Sequence, residues 1–96
     1  MSAFVIAFLT FSDRTRYRSY QAGFAEVFRQ FDGELLAADE APETTEGSAP
    51  DKVVLMRFPD TDAARRFLDS DAYAAISKDR KAGATAQAVV VESLDR

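Results

Sequence analysis

Residues 3–11, Ala-Phe-Val-Ile-Ala-Phe-Leu-Thr-Phe, put eight apolar side chains into nine positions, with large ones at both odd and even numbers. A strand wetted on one face alternates apolar with polar residues, so this stretch calls for cover on both faces of its sheet. A chain of 96 residues makes one modest core and is expected to form a single domain, 1–96. One helical layer in so short a chain shelters only one face of a sheet. The second cover has to come from outside that layer.

After this strand, Ser12 or Asp13 can cap a helix whose Tyr17, Tyr20, Phe24, Val27, Phe28 and Phe31 recur at three- and four-residue steps. The opposite face carries Arg14, Arg18, Gln21, Glu26, Arg29 and Gln30, so one side of the helix packs and the other is wet. Asp32-Gly33 is expected to end it, with Gly33 as a left-handed terminal residue. Residues 34–38 read as a short edge strand, and the acidic, aperiodic run from Asp39 to Asp51 as a surface loop.

Lys52 to Phe58 is a second strand with large apolar residues at both parities, stopped by Pro59. Asp60 or Thr61 then caps a helix burying Ala64, Phe67 and Leu68, and Ser70-Asp71 starts another helical piece through Tyr73, Ile76 and Arg80 that Gly83 closes. The Val-rich run from Ala86 to Leu94 completes the chain as a strand. The order is βαββαβ, an α+β arrangement in which two crossovers build a four-stranded antiparallel sheet with helices on one face. Right-handed crossovers put the first and third strands in the middle. These are the two strands apolar on both sides, and the face their helices leave bare is larger than soluble monomers usually expose. A second copy of the chain, sheet against sheet, is the expected cover.

Composition removes several functions. Without Cys or His there is no disulfide, thiolate nucleophile, imidazole base or ordinary zinc site, and no metal site is expected. Sixteen acids against 12 bases leave a net charge of −4, which disfavours nucleic acid and anionic membranes as partners. The apolar start lacks a basic leader and a cleavage site and runs into Ser12-Asp13-Arg14, so it reads as neither signal peptide nor membrane span. A cytoplasmic location is the expectation. No phosphate loop, dinucleotide fingerprint, nucleophile elbow or metal-ligand spacing occurs, and no cofactor is expected.

The polar candidates are few. Tyr17 and Tyr20 share a helical face and can present phenols to a cleft between helix and sheet, or serve as core-edge residues with wet hydroxyls; Tyr73 carries the same two readings. Arg57 is the charge within an apolar strand and either snorkels at its end or awaits an anion. Arg80 either complements a helix C-terminus or reaches a carboxylate. Glu46, before Gly47 in the acidic loop, is a general-base or ion-pair candidate against a reading as a solvated carboxylate. Arg14, Arg16 and Arg18 diverge around the helix and read as a solvated face.

The Tyr17-x-x-Tyr20 helix start, Glu46-Gly47, Phe58-Pro59, Ser70 followed by Tyr73, Arg80 and the closing Val89-Val90-Val91-Glu92, in this order and spacing, resemble the domain of unknown function 1330 family. The resemblance spans Phe4 to Glu92 and implies a branch of the dimeric α+β barrel superfamily: a ferredoxin-like protomer that pairs through its sheet face as a homodimer. It implies no particular reaction, since the wider superfamily includes small monooxygenases, isomerases, haem enzymes and ligand-sensing modules. The recurrent polar and aromatic positions carried over are Tyr17, Tyr20, Glu46, Tyr73 and Arg80. Against the family pattern, Phe8 replaces a common His, Phe67 a Trp, Asp71 a Pro and Ser93 a Gly, and the loss of the His weakens a proton-transfer role.

The functional expectation is a small organic molecule held in a cleft between helices and sheet by Tyr17, Tyr20, Tyr73 and an Arg, with any catalysis cofactor-independent and using Glu46 or a Tyr. The competing expectation is a non-catalytic sensing or interaction module whose dimer interface is its main role. Convergence of the named side chains on one concavity separates the two.

Overall fold

The computed structural model describes residues 1–95. In chain order the elements are β1 (Ala3–Phe11), α1 (Arg14–Phe28), β2 (Glu34–Asp39), β3 (Lys52–Phe58), α2 (Thr61–Leu68), α3 (Asp71–Gly83) and β4 (Ala84–Glu92). They build one antiparallel sheet in the order β2-β3-β1-β4, so the two strands apolar at both parities occupy the centre. Each helix begins where a side chain accepts an orphan backbone N–H: Asp13 from Arg16, Asp60 from Ala63 and Ser70 from Tyr73, at 3.2, 2.7 and 3.1 Å.

The helices lie over the face that presents Ala3, Val5 and Leu9 of β1 and Met56 and Phe58 of β3, all of them buried. Phe67 of α2 is the hub, fully buried, with the rings of Phe24, Phe28, Phe31, Phe58 and Tyr73 at centroid distances of 4.6 to 6.1 Å. Aromatic pairs at such distances add to the free energy of burial, and loss of a buried ring costs about 3–5 kcal/mol.

On the other face, the register aligns Phe4 with Val91, Ile6 with both Leu55 and Val89, and Phe8 with Val53. No helix of the described residues covers them: Phe8 is 42 % exposed, and Val89 and Val91 39 % each. The sheet therefore has an apolar centre open to solvent. At its margin Arg57 and Glu34, register partners on β3 and β2, form an ion pair at 2.6 Å.

Three local expectations are corrected. The first helix stops at Phe28, so Phe31 packs from the following turn, and Gly33 is not left-handed; among the described residues the positive-φ glycine is Gly47, at 86°. Gly33 is needed for closeness instead, since a Cβ there would stand 2.6 Å from Phe28 Cζ and 2.7 Å from Phe58 Cε1. The last strand runs from Ala84 to Glu92 and not from 86 to 94, because it follows β1 end to end, from the pair Phe11 with Ala84 to the pair Ala3 with Glu92.

Candidate functional site

Tyr17 and Tyr20 lie one turn apart on α1, Tyr73 and Arg80 two turns apart on α3, and these helices pack against each other above the sheet. Gly83 sets their approach. Its carbonyl accepts N–H groups from Ser12 and Asp13 at 2.9 and 3.1 Å, and a Cβ on it would meet Tyr17 N at 2.5 Å. Between α1, α2, α3 and the sheet is a cavity of about 340 Å³. Its floor is Val5, Ala7, Val54, Met56, Ala86 and Ala88; its wall carries Tyr17, Tyr20, Tyr73 and Arg80; Arg65, Leu68 and Asp69 of α2 and its C-terminus also line it.

The polar groups on this wall are donors for the most part. Tyr20 and Tyr73 share a hydrogen bond, oxygen to oxygen, at 3.1 Å. Burial pushes the Tyr20 phenol up, the Tyr73 phenol adds to this, and Arg80 works weakly against it. Tyr17, 2 % exposed, is likewise pushed up, to about 12, first by burial and then by the charge of Glu40. Both are therefore neutral phenols at physiological pH, able to give a proton to a hydrogen bond. Arg80 Nε is buried with no hydrogen-bond partner, and Arg80 has no ion pair among the described residues. Neighbouring Asp79 is taken by Arg16 at 3.0 Å, and Asp69 by Arg65 at 2.9 Å.

A second, smaller cavity of about 220 Å³ lies on the other side of Tyr17, Tyr20 and Val54, between α1 and β2, and Lys52 opens onto it. Lys52 is 4 % exposed, its ammonium 4.9 Å from the centre of the Tyr17 ring and 3.5 Å from Glu40. Burial holds the Lys52 ammonium below its ordinary value, with Glu40 opposing. Arg18 grips both oxygens of Glu40 at 2.6 and 2.7 Å, and hydrogen bonding to Arg18 brings that carboxyl down to about 2. Residues 18, 40 and 52 were absent from the sequence-based candidates. The legible signal was parity, since Lys52 shares the inward face of β3 with Val54, Met56 and Phe58.

Four of the six sequence candidates, Tyr17, Tyr20, Tyr73 and Arg80, thus meet at one cavity. The other two lie elsewhere. Glu46 is exposed in the loop 40–51 and lines neither cavity, while Arg57 is exposed at the edge of the open sheet face. Phe8 also belongs to that open face. No helix of the described residues is long and apolar enough to cross a membrane.

Solved structures share this architecture. A protein of unknown function from Rhodopseudomonas palustris superposes with a TM-score of 0.81 at 14% identity, over 99% of this chain and 84% of that one. SnoaB, a cofactor-independent oxygenase from Streptomyces nogalater, gives 0.73 at 17% identity over 99% and 95%. A dimeric ferredoxin-like protein of unknown function from Thermobifida fusca gives 0.70 at 15% identity over 97% and 92%. At such identities the likeness establishes the fold, which is ferredoxin-like. No curated protein matches the sequence. The sequence profile of the domain of unknown function DUF1330 matches residues 2–94, and the chain belongs to that family.

Proposed function

We propose that the protein is a single-domain homodimer, paired through its open sheet face, that binds a small organic molecule in the cavity between helices and sheet. The observation that carries the ligand reading is the convergence of Tyr17, Tyr20, Tyr73 and Arg80 from two helices on one apolar-floored cavity. Ligand sites are usually such concavities, mostly apolar with a few convergent polar groups. Pairing is supported by the exposed Phe8, Val89 and Val91, whose apolar centre and polar margin match the anatomy of protein interfaces.

If the ligand is also turned over, the phenols of Tyr20 and Tyr73 are the groups within reach to move a proton, and Glu46 is not. Cofactor-independent chemistry agrees with the description of SnoaB, a neighbour in fold. A sensing or interaction module is the second reading, favoured by the apolar sheet face alone.

A thermal-shift screen against a broad library of small metabolites, neutral and charged, tests the ligand reading. A binder raises the melting temperature by about RT ln(1 + [L]/Kd) expressed as stability. A specific shift that Tyr20→Ala abolishes supports the cavity. Absence of any hit, or hits indifferent to Tyr20→Ala, moves the assignment to the interaction module.

A further inference from the structure

Among the described residues, Arg80 is the charge in the cavity with no counter-charge. Of the charged side chains that line it, Arg65 and Asp69 hold each other through two contacts, at 3.2 and 2.9 Å, so the wall is left with the positive charge of Arg80. Its Nε–H is out of reach of solvent and meets no acceptor among the described residues. Arg80 as a whole is half-buried, and its guanidinium keeps its positive charge at the cavity wall.

The phenol pair points the same way. Tyr20 and Tyr73 bring two O–H groups to a single mutual hydrogen bond, which uses one proton and leaves the other free to donate. The cavity thus presents the Arg80 guanidinium and a neutral O–H over a floor of Val, Met and Ala. An oxyanion with an apolar body is the complement of that set. A dication, an amine or a purely acceptor-poor hydrocarbon would leave one or both donors unmatched.

We propose that the ligand of this cavity is a small organic acid, its carboxylate bound by Arg80 and by the free phenolic hydrogen of the Tyr20 and Tyr73 pair, its apolar body on the sheet floor. This deepens the ligand reading above and rests on it. At about 340 Å³ the cavity is at the small end of ligand sites, which suits an acid of one or two rings or a short branched chain.

Benzoate, phenylacetate and cinnamate, each beside its primary amide, are the probes, read by thermal shift and isothermal titration on the intact protein. The amide keeps the body and removes the charge. At least one acid is expected to bind tenfold or more tightly than its amide, and Arg80→Met to erase that preference while leaving the melting temperature of the ligand-free protein close to that of the unaltered protein. Loss of the acid preference without a matching loss of stability is an outcome a merely structural arginine does not give. Equal binding of acid and amide, or undiminished acid binding by Arg80→Met, overturns the proposal. If Arg80→Met does not fold, the acid and amide comparison on the unaltered protein judges the proposal. Failure of every acid while neutral compounds of the metabolite library bind sinks the acid assignment and keeps the cavity; failure of all compounds sinks both.

Discussion

Tyr20 and Tyr73, 53 positions apart in the chain, meet hydroxyl to hydroxyl at 3.1 Å inside the protein, with ring centroids 6.2 Å apart and nearly perpendicular. The contact joins α1 to α3 at the wall of the cavity, and it is polar in a region otherwise built of aromatic edges. Phe24 and Phe67 flank the two rings, at 5.9 Å from Tyr20 and 4.6 Å from Tyr73.

Removing either hydroxyl should therefore uncouple binding from packing. Tyr73→Phe keeps the ring on Phe67 and is expected to cost about 1 kcal/mol of stability, the usual net worth of one hydrogen bond. Tyr20→Phe should cost a similar amount, and the double variant less than the two together, since they lose the same bond. Denaturant unfolding of the three variants measures this. Strict additivity would mean that the two phenols do not interact in solution.

Gly83 predicts a larger effect. The atoms a methyl group would strike there are backbone, Tyr17 N at 2.5 Å and Asp13 O at 2.7 Å, and neither can turn aside as a side chain could. Gly83→Ala should cost roughly 1–3 kcal/mol and widen the gap between α1 and α3. In a domain of this size that corresponds to a melting temperature lower by about 4–8 °C for each kcal/mol. An unchanged melting temperature would contradict the tight approach of the two helices.

The Arg18, Glu40 and Lys52 network gives a pH dependence with a definite sign. Glu40 sits at about 2 in the folded chain against an ordinary 4.5, so the folded state binds fewer protons in between and gains stability from the pairing above that range. The contribution is complete above about pH 5 and lost as the pH falls toward 2. Because the side chains of Glu40 and Arg18 are 32 % and 47 % exposed, solvent screening keeps it small. Melting curves of the unaltered protein and Glu40→Gln should separate at pH 7 and converge near pH 2. A gap independent of pH would rule out the carboxylate as its source.

The open sheet face predicts the oligomeric state. Light scattering should give twice the chain mass of 10.6 kDa at micromolar concentration, and Phe8→Lys together with Val89→Glu should return it to the single chain. A soluble single chain before any substitution would leave Phe4, Ile6 and Leu55 without the cover proposed for them.

Much of the fold was legible because its signals are periodic. The two strands apolar at both parities, β1 and β3, are the central pair, and the three- and four-residue spacing of Tyr17, Tyr20, Phe24 and Phe28 is the packed face of α1. Gly33 was misread because a glycine between helix and strand looks the same whether it supplies a left-handed turn or makes room for Phe28 and Phe58. The tyrosine and Arg80 cluster was legible as two helical faces, whereas their meeting depends on Gly83, whose role is an interhelical distance that no local pattern encodes. Glu46, Arg57 and Arg80 each carry a bland reading beside a functional one in the sequence, and which of them reaches a cavity is decided by tertiary packing. Lys52 is not legible as a buried residue because a lysine opening a strand ordinarily reaches back to water, and here Glu40 and the Tyr17 ring hold it inward.

The cavity itself is most directly probed through the Arg80 side chain. Its Nε–H is hidden from solvent and so should give a slowly exchanging signal in a nitrogen-resolved NMR spectrum at neutral pH. On titration with a small organic acid that signal is predicted to shift, together with the ring resonances of Tyr17, Tyr20 and Tyr73. Movement confined to Phe8, Val89 and Val91 on the open face, with the Arg80 signal still, would contradict a ligand site between helices and sheet.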